Sequence, residues 1–134
     1  MGLTITAIVC AYNEARYLPA CLFSLLSQTR PPDEILVVNN ASTDDTAARA
    51  SEVPGARVIE ERDKGLVIAR ETARREARGD ILVYTDADCR APIFWLEVTN
   101  RSCCAISTSI PVGAMAACRF EKSSTCTGRR SAST

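Results

Sequence analysis

The sequence contains no histidine, carries no net charge and has no long apolar run. Without histidine, and without cysteine pairs at the spacing of about two to four intervening residues, it lacks the usual ligand pattern of a zinc site. Sixteen basic and sixteen acidic side chains cancel, which argues against binding of nucleic acid through a strongly basic surface. No segment approaches the roughly 18 apolar residues that predict a transmembrane helix. Any partner must therefore be identified from a local site.

The N-terminus also lacks a secretion signal, because no basic region precedes an apolar run with a small-residue cleavage site. The seven cysteines are an odd number without framework spacing, which favours a reducing compartment. We therefore expect a cytoplasmic protein, either free or peripheral at the inner face of the membrane. A chain of 134 residues is long enough for one domain with a core.

Short apolar runs alternate with helical patterns over the first two-thirds of the chain. β-favouring runs predict four buried strands, at 4–10, 35–38, 57–60 and 81–85. The intervening segments predict three helices. The first has Leu18, Leu22, Leu25 and Leu26 on one face, the second is capped by Ser42 or Thr43, and the third spans 66–77. This alternation predicts a doubly wound, mostly parallel α/β sheet with helices on both faces.

Polar residues follow three of the predicted strands: Tyr12-Asn13-Glu14, Asn39-Asn40 and Asp86-Ala87-Asp88. Ligands of open α/β sheets bind beyond the carboxyl ends of the strands, where the strand order reverses, so we expect these residues to converge on one crevice. Two carboxylates so close together repel each other unless a cation neutralises them. Carboxylates and substrate phosphates are the usual ligands of Mg²⁺ and Mn²⁺. The alternative is an ordinary polar turn after a strand.

Five sequence blocks in this order resemble glycosyltransferase family 2, whose members have the GT-A fold. They are residues 7–14, residues 24–29, residues 37–46, a run comprising Lys64-Gly65, Ala69-Arg70 and 77–80, and Asp86-Ala87-Asp88. The resemblance covers about ninety residues and implies the half of the enzyme that binds a nucleotide diphosphate sugar. It also implies a divalent cation, Mn²⁺ or Mg²⁺, as cofactor.

The resemblance implies individual roles for residues at the ends of the strands. Ala11 and Tyr12 would contact the base and ribose of the sugar nucleotide, with Glu14 in the same pocket. Asp86 would contact the ribose or a metal-bound water, and Asp88 would be the direct metal ligand. Tyr12 could instead pack its ring at the sheet edge.

Two further positions have equally plain alternatives. Asn40 stands where many members carry an aspartate that recognises the base, but an amide offers a donor as well as acceptors, so the base stays open. It could instead tighten a turn. Lys64 could contact the diphosphate or be a solvated charge at a helix end. The residues at 94–96, Phe-Trp-Leu, are expected to pack against the sheet.

The character of the sequence changes near residue 97. Ser, Thr and Cys become abundant, apolar periodicity fades, and no segment from 99 to 134 predicts a helix or strand with any clarity. We therefore expect two parts: the nucleotide-sugar-binding half at 1–97 and an irregular, poorly ordered tail at 98–134. Such a change is what a shifted reading frame or a truncated gene would produce.

Two functional hypotheses remain open. An inverting transferase needs a general base, and after Asp88 the only acidic residues are Glu97 and Glu121, neither placed as that family places its base. The chain is then either a glycosyltransferase, moving a sugar to a hydroxyl of a lipid, glycan, protein or metabolite, or a non-catalytic chain. The non-catalytic chain would be a nucleotide-binding fragment or the remnant of a broken glycosyltransferase gene. A nucleotidyltransferase is disfavoured because no glycine-rich loop follows the first strand.

Overall fold

The computed structural model describes residues 3–104 and 117–119. Its strands are β1 (Ile5–Ala11), β2 (Glu34–Asn40), β3 (Ala56–Glu61), β4 (Ile81–Asp86) and β5 (Ala117–Arg119). Its helices are α1 (Leu18–Leu26), α2 (Thr46–Ser51), α3 (Leu66–Glu76) and α4 (Trp95–Cys104). The predicted α/β class is confirmed, and each of the four predicted strands lies within two residues of its observed bounds.

The strands form one sheet in the order β3-β2-β1-β4-β5. The first four are parallel, and β5 pairs antiparallel with β4. The chain moves from β1 outward to β3 and then returns to the other side of β1. Because crossovers between parallel strands are right-handed, this reversal moves the connecting helix to the opposite face of the sheet. The order therefore reverses between β1 and β4.

The core lies on both faces of the sheet, because consecutive strand residues point to opposite sides. On one face Ala7 and Val9 of β1 pack under α1 and α2, in a cluster with Leu18 and Leu22. On the other face Ile8 packs under α3. Helix α3 contributes Ala69 and Ala73, both fully buried, and these small side chains let the helix lie close to the sheet. A third cluster joins β4 to α4 through Val83 and Leu96.

The buried face of α1 differs from its prediction at one position. Leu26 is 38% exposed, whereas Cys21 is 1% exposed and belongs to the core. Cys21 lies three residues after Leu18 and four before Leu25, on the same stripe, where the apolar pattern predicts a small core residue. Leu26 is the last residue of the helix and lies at the edge of that stripe.

The start of α2 was also predicted too early. The N-cap position is Asp45, two or three residues beyond Thr43 and Ser42, because those two side chains are used in contacts to the turn after β1 described below. Within the described residues, no helix is both long and apolar enough to cross a bilayer.

Helix α4 crosses the predicted boundary at 97 and continues to Cys104, so the expectation of no helix beyond residue 98 is wrong there. Its inner face consists of Leu96 and Thr99, both buried, with Trp95 partly buried. A buried threonine breaks the apolar periodicity that sequence analysis depends on. Phe94 is 58% exposed, contrary to the expected packing. Strand β5 (Ala117–Arg119), which pairs with β4, also lies in the segment expected to be irregular, so that expectation is wrong there too. The remaining expectations about the tail fall on 105–116 and 120–134, outside the described residues.

Candidate functional site

A cleft of about 230 Å³ opens at the carboxyl ends of β1 and β2, on the face covered by α3. Its walls come from these strand ends, from the loop between β3 and α3, and from the first turn of α3. The lining residues are Cys10, Ala11, Tyr12, Asn40, Lys64, Gly65, Leu66 and Ala69. Four of the predicted nucleotide-binding residues, Ala11, Tyr12, Asn40 and Lys64, therefore lie together. Burial raises the pKa of the Cys10 thiol to about 11, so this side chain contributes no charge to the cleft at neutral pH.

Tyr12 and Lys64 form one side of the cleft as a pair. The Lys64 ammonium donates a hydrogen bond to the Tyr12 hydroxyl at 3.0 Å and lies 4.2 Å from the centre of the Tyr12 ring. Tyr12 remains 40% exposed, so its ring is not packed away at the sheet edge. The lysine is thus held at the mouth of the cleft by a hydrogen bond and a cation–π contact.

Asn40 is 5% exposed, and its side chain holds the loop between β3 and α3. Its Nδ2 donates to the carbonyl oxygens of Asp63, at 2.8 Å, and Glu61, at 3.4 Å. Its Oδ1 accepts a hydrogen bond from the Gly65 backbone N–H at 2.9 Å. Both amide hydrogens are therefore used, and one lone pair of Oδ1 is the hydrogen-bonding capacity left over. In the structure Asn40 therefore tightens the loop between β3 and α3, which is the alternative role predicted from the sequence.

The turn after β1 is tied to the loop after β2. Asn13 has a positive φ of 51°, a conformation that asparagine tolerates better than most residues. Its backbone N–H donates to Ser42 Oγ at 3.0 Å, and its Oδ1 accepts from the Thr43 N–H at 2.8 Å. The Glu14 N–H donates to Thr46 Oγ1 at 3.1 Å. These contacts fix where Tyr12 and Glu14 lie beside the strand ends.

Asp86 is the last residue of β4, and Asp88 follows two positions later; both are exposed. Their carboxylate oxygens and the Cys89 sulfur lie within 4.8 Å of one another. Neighbouring ligand atoms on one cation lie about 3–3.6 Å apart, given bond lengths of about 2.1 Å to oxygen and 2.3 Å to sulfur. The three side chains would therefore have to move closer together, by up to about 1–2 Å, to meet on one ion. No role was predicted for Cys89 from the sequence, although its position directly after Asp88 places it beside the two carboxylates.

Negative charge accumulates around this group. Partial burial raises the pKa of Glu14, and the neighbouring charges of Asp88, Asp44 and Asp86 raise it further. None of the ion pairs among residues 3–100 includes Glu14, Asp86 or Asp88. A divalent cation fits these residues, because it would offset a concentration of negative charge that forms no ion pair with a lysine or arginine of this part of the chain.

Comparison with known proteins identifies relatives of one kind. The sequence model of glycosyl transferase family 2 matches residues 6–124, continuing beyond the boundary predicted at 97. Glycosyltransferase AglE of Haloferax volcanii is 36% identical over 100 residues, which cover 69% of this chain and 33% of that protein.

Solved structures show the same relationship. Mannosyltransferase PcManGT from Pyrobaculum calidifontis, in complex with GDP-Man and Mn²⁺, is 37% identical with a TM-score of 0.62, over 69% of this chain and 29% of that one. Glucosyl-3-phosphoglycerate synthase from Mycobacterium tuberculosis, in complex with Mn²⁺, UDP and glucosyl-3-phosphoglycerate, is 25% identical with a TM-score of 0.68, over 78% and 40%. The chain therefore spans between 29% and 40% of the length of these three proteins.

Proposed function

The chain belongs to glycosyl transferase family 2, and we propose that it binds a nucleotide diphosphate sugar with a divalent cation and supports transfer of the sugar to an acceptor hydroxyl. One observation carries this proposal. The cleft at the ends of β1 and β2 lies next to the Asp86–Asp88 pair at the end of β4, where the strand order reverses. Such a reversal is where open α/β sheets bind nucleotides.

The cleft suits the base and ribose of a nucleotide. The exposed ring of Tyr12 offers a surface against which a base can stack, and Ala11 leaves room beside it. Lys64, at the mouth of the cleft, supplies the positive charge that a diphosphate requires. Asn40 keeps the loop that carries Lys64 in place, and one remaining lone pair of its Oδ1 can accept a hydrogen bond from the base.

The acidic side of the crevice would hold the cation, either Mn²⁺ or Mg²⁺. Asp88 is the proposed direct ligand, and Asp86 a second ligand or a contact to the ribose or to a metal-bound water, with Glu14 nearby. Structures of PcManGT and of the mycobacterial synthase contain Mn²⁺ with a nucleotide, which supports this assignment. When bound, the cation stabilises negative charge on the diphosphate as it leaves.

Isothermal titration calorimetry with UDP and GDP, with and without Mn²⁺, tests the donor site. We expect binding of one nucleotide to require Mn²⁺ and to be lost in Asp88→Asn. Glu52→Gln makes the same chemical change at an exposed carboxylate after α2 and is expected to bind like the wild type. Binding that is unaffected by chelation of the metal, or equal in Asp88→Asn and wild type, would contradict the proposed site.

A second candidate is a nucleotide-binding chain without transferase activity. Among the described residues beyond Asp88 the only carboxylate is Glu97, and its Oε2 accepts a hydrogen bond from Thr29 Oγ1 at 2.8 Å, at the C-terminal end of α1. The only carboxylate that this part of the chain offers as a general base is thus already engaged with Thr29. Release of nucleotide diphosphate with a panel of lipid, glycan, protein and metabolite acceptors distinguishes the two candidates. Metal-dependent binding without release supports the second.

A further inference from the structure

The turn that carries Asp88 and Cys89 is held in place from two directions. The Asp86 carbonyl oxygen accepts a hydrogen bond from the Cys89 backbone N–H at 3.1 Å. It also accepts one from the thiol of Cys21 at 3.4 Å, and Cys21 is a core residue of α1 that is 1% exposed. Cys89 is partly exposed, and its Sγ donates to Asp88 Oδ1 at 3.6 Å. The sulfur is thus positioned against the carboxylates before any ligand arrives.

We propose that Cys89 is a third protein ligand of the cation and that its sulfur shifts the metal preference of the site away from Mg²⁺ toward more thiophilic divalent ions. This inference rests on the proposed function at Asp86 and Asp88. Its geometric basis is that the sulfur and both carboxylates lie within 4.8 Å of one another.

Ligand chemistry gives the direction of the shift. Mg²⁺ strongly prefers oxygen ligands, whereas thiolates favour softer ions, and affinities for Mn²⁺ generally lie at the weak end of the transition series. A site of two carboxylates and one sulfur therefore binds Cd²⁺ or Zn²⁺ more tightly than an oxygen-only site and discriminates more strongly against Mg²⁺. As the sulfur–metal bond forms, the thiol proton passes to solvent. The three side chains leave further positions on the ion for diphosphate oxygens and water.

Cadmium titration of the full chain gives a readout that does not depend on activity. A sulfur–cadmium bond absorbs in the ultraviolet through charge transfer, so the wild type should develop this absorption with the first equivalent of Cd²⁺. We expect Cys89→Ser to lose it, while Cys126→Ser, the same substitution at a distant sequence position, retains it. Mn²⁺ in large excess should compete with cadmium for the same site and reduce the absorption.

The Mn²⁺ to Mg²⁺ affinity ratio, measured calorimetrically, provides a second readout. We expect Cys89→Ser to lower this ratio about tenfold. Losses of metal affinity of about that size are at the lower end of those that follow mutation of residues supporting a metal ligand. Cys89→Ala should lower it similarly, which separates the loss of sulfur from any effect of the serine hydroxyl.

The outcomes separate this inference from the proposed function. If Mn²⁺ binding depends on Asp88 but the cadmium absorption and the affinity ratio are unchanged in Cys89→Ser, Cys89 is not a ligand, and the proposed function stands. If the wild type binds neither Mn²⁺ nor Cd²⁺, both proposals are wrong. Loss of the absorption and of the metal preference in both Cys89 variants, with Cys126→Ser unchanged, supports the assignment.

Discussion

Replacing Asn40 with aspartate exchanges one NH₂ group for an oxygen at the most constrained polar position of the cleft. The hydrogen bond from the Gly65 N–H can persist, but the new oxygen faces the carbonyl oxygens of Asp63 and Glu61, at the present distances of 2.8 and 3.4 Å. Asn40 is 5% exposed, so the new carboxylate cannot simply turn into water. The two N–H donors of Asn40 Nδ2 are lost, and the lone pairs of the new oxygen face those of the two carbonyl oxygens.

The expected cost follows from these contacts. Losing the shorter hydrogen bond removes about 1 kcal/mol, and leaving the new oxygen at the buried position 40 without a donor costs a further ~1–3 kcal/mol. We therefore expect Asn40→Asp to lower the free energy of unfolding by about 2–4 kcal/mol at neutral pH. Burial and the facing carbonyls should raise the pKa of the new carboxyl above its ordinary value. Its protonated form can donate again, so the loss should shrink as the pH falls through that raised pKa and grow as the pH rises.

Urea denaturation at several pH values measures this prediction. Asn40→Ala is the informative comparison, because it also removes the hydrogen bonds but adds no charge; its deficit should not depend on pH. Asn100→Asp makes the same amide-to-carboxylate change on α4 and should change stability by no more than about 0.5 kcal/mol. If Asn40→Asp is as stable as the wild type at neutral pH, the amide of Asn40 does not hold the loop between β3 and α3.

Three other substitutions test the framework of the site. Glu34 accepts hydrogen bonds from Thr6 Oγ1 and the Arg78 N–H and pairs with Arg57. Burial alone would raise the pKa of Glu34, but these contacts outweigh it and lower the pKa. Glu34→Gln should therefore cost about 2 kcal/mol of stability at neutral pH. The cost should shrink as the pH falls below the ordinary value of 4.5. Gly79→Ala should cost ~1–3 kcal/mol, because a Cβ would lie 2.6 Å from Thr6 Oγ1. Ala41→Gly should stabilise by about 0.5–1 kcal/mol, since Ala41 has a φ of 55°.

Denaturation with urea measures all three, and each has an outcome that would refute it. If the loss of stability in Glu34→Gln does not change with pH, the charge of Glu34 does not contribute to stability. If Gly79→Ala leaves the free energy of unfolding unchanged, β1 and the loop before β4 can move apart without cost. Destabilisation by Ala41→Gly would mean that glycine's greater freedom in the unfolded chain outweighs the relief of the left-handed conformation.

The first four strands and three helices follow from the sequence because their signals are local. A strand buried on both faces is a continuous apolar run, as at Ile35–Val38, whatever its neighbours are. The predictions fail where contacts between distant parts of the chain determine how far a helix extends or where it begins. Helix α4 buries Thr99, and Ser42 and Thr43 bond to the turn after β1 instead of capping α2. Neither contact leaves a trace in local periodicity.

The sequence alone determined that polar residues would gather at the carboxyl edge of a parallel sheet, because strand direction and right-handed crossovers leave no other arrangement for these blocks. Only the tertiary structure decided what each side chain does there. It directs the amide of Asn40 toward the loop at 61–65, holds Lys64 over Tyr12, and brings the sulfur of Cys89 to the carboxylates of Asp86 and Asp88. These pairings depend on side-chain directions and ångström distances between separate elements, which residue order and periodicity do not encode.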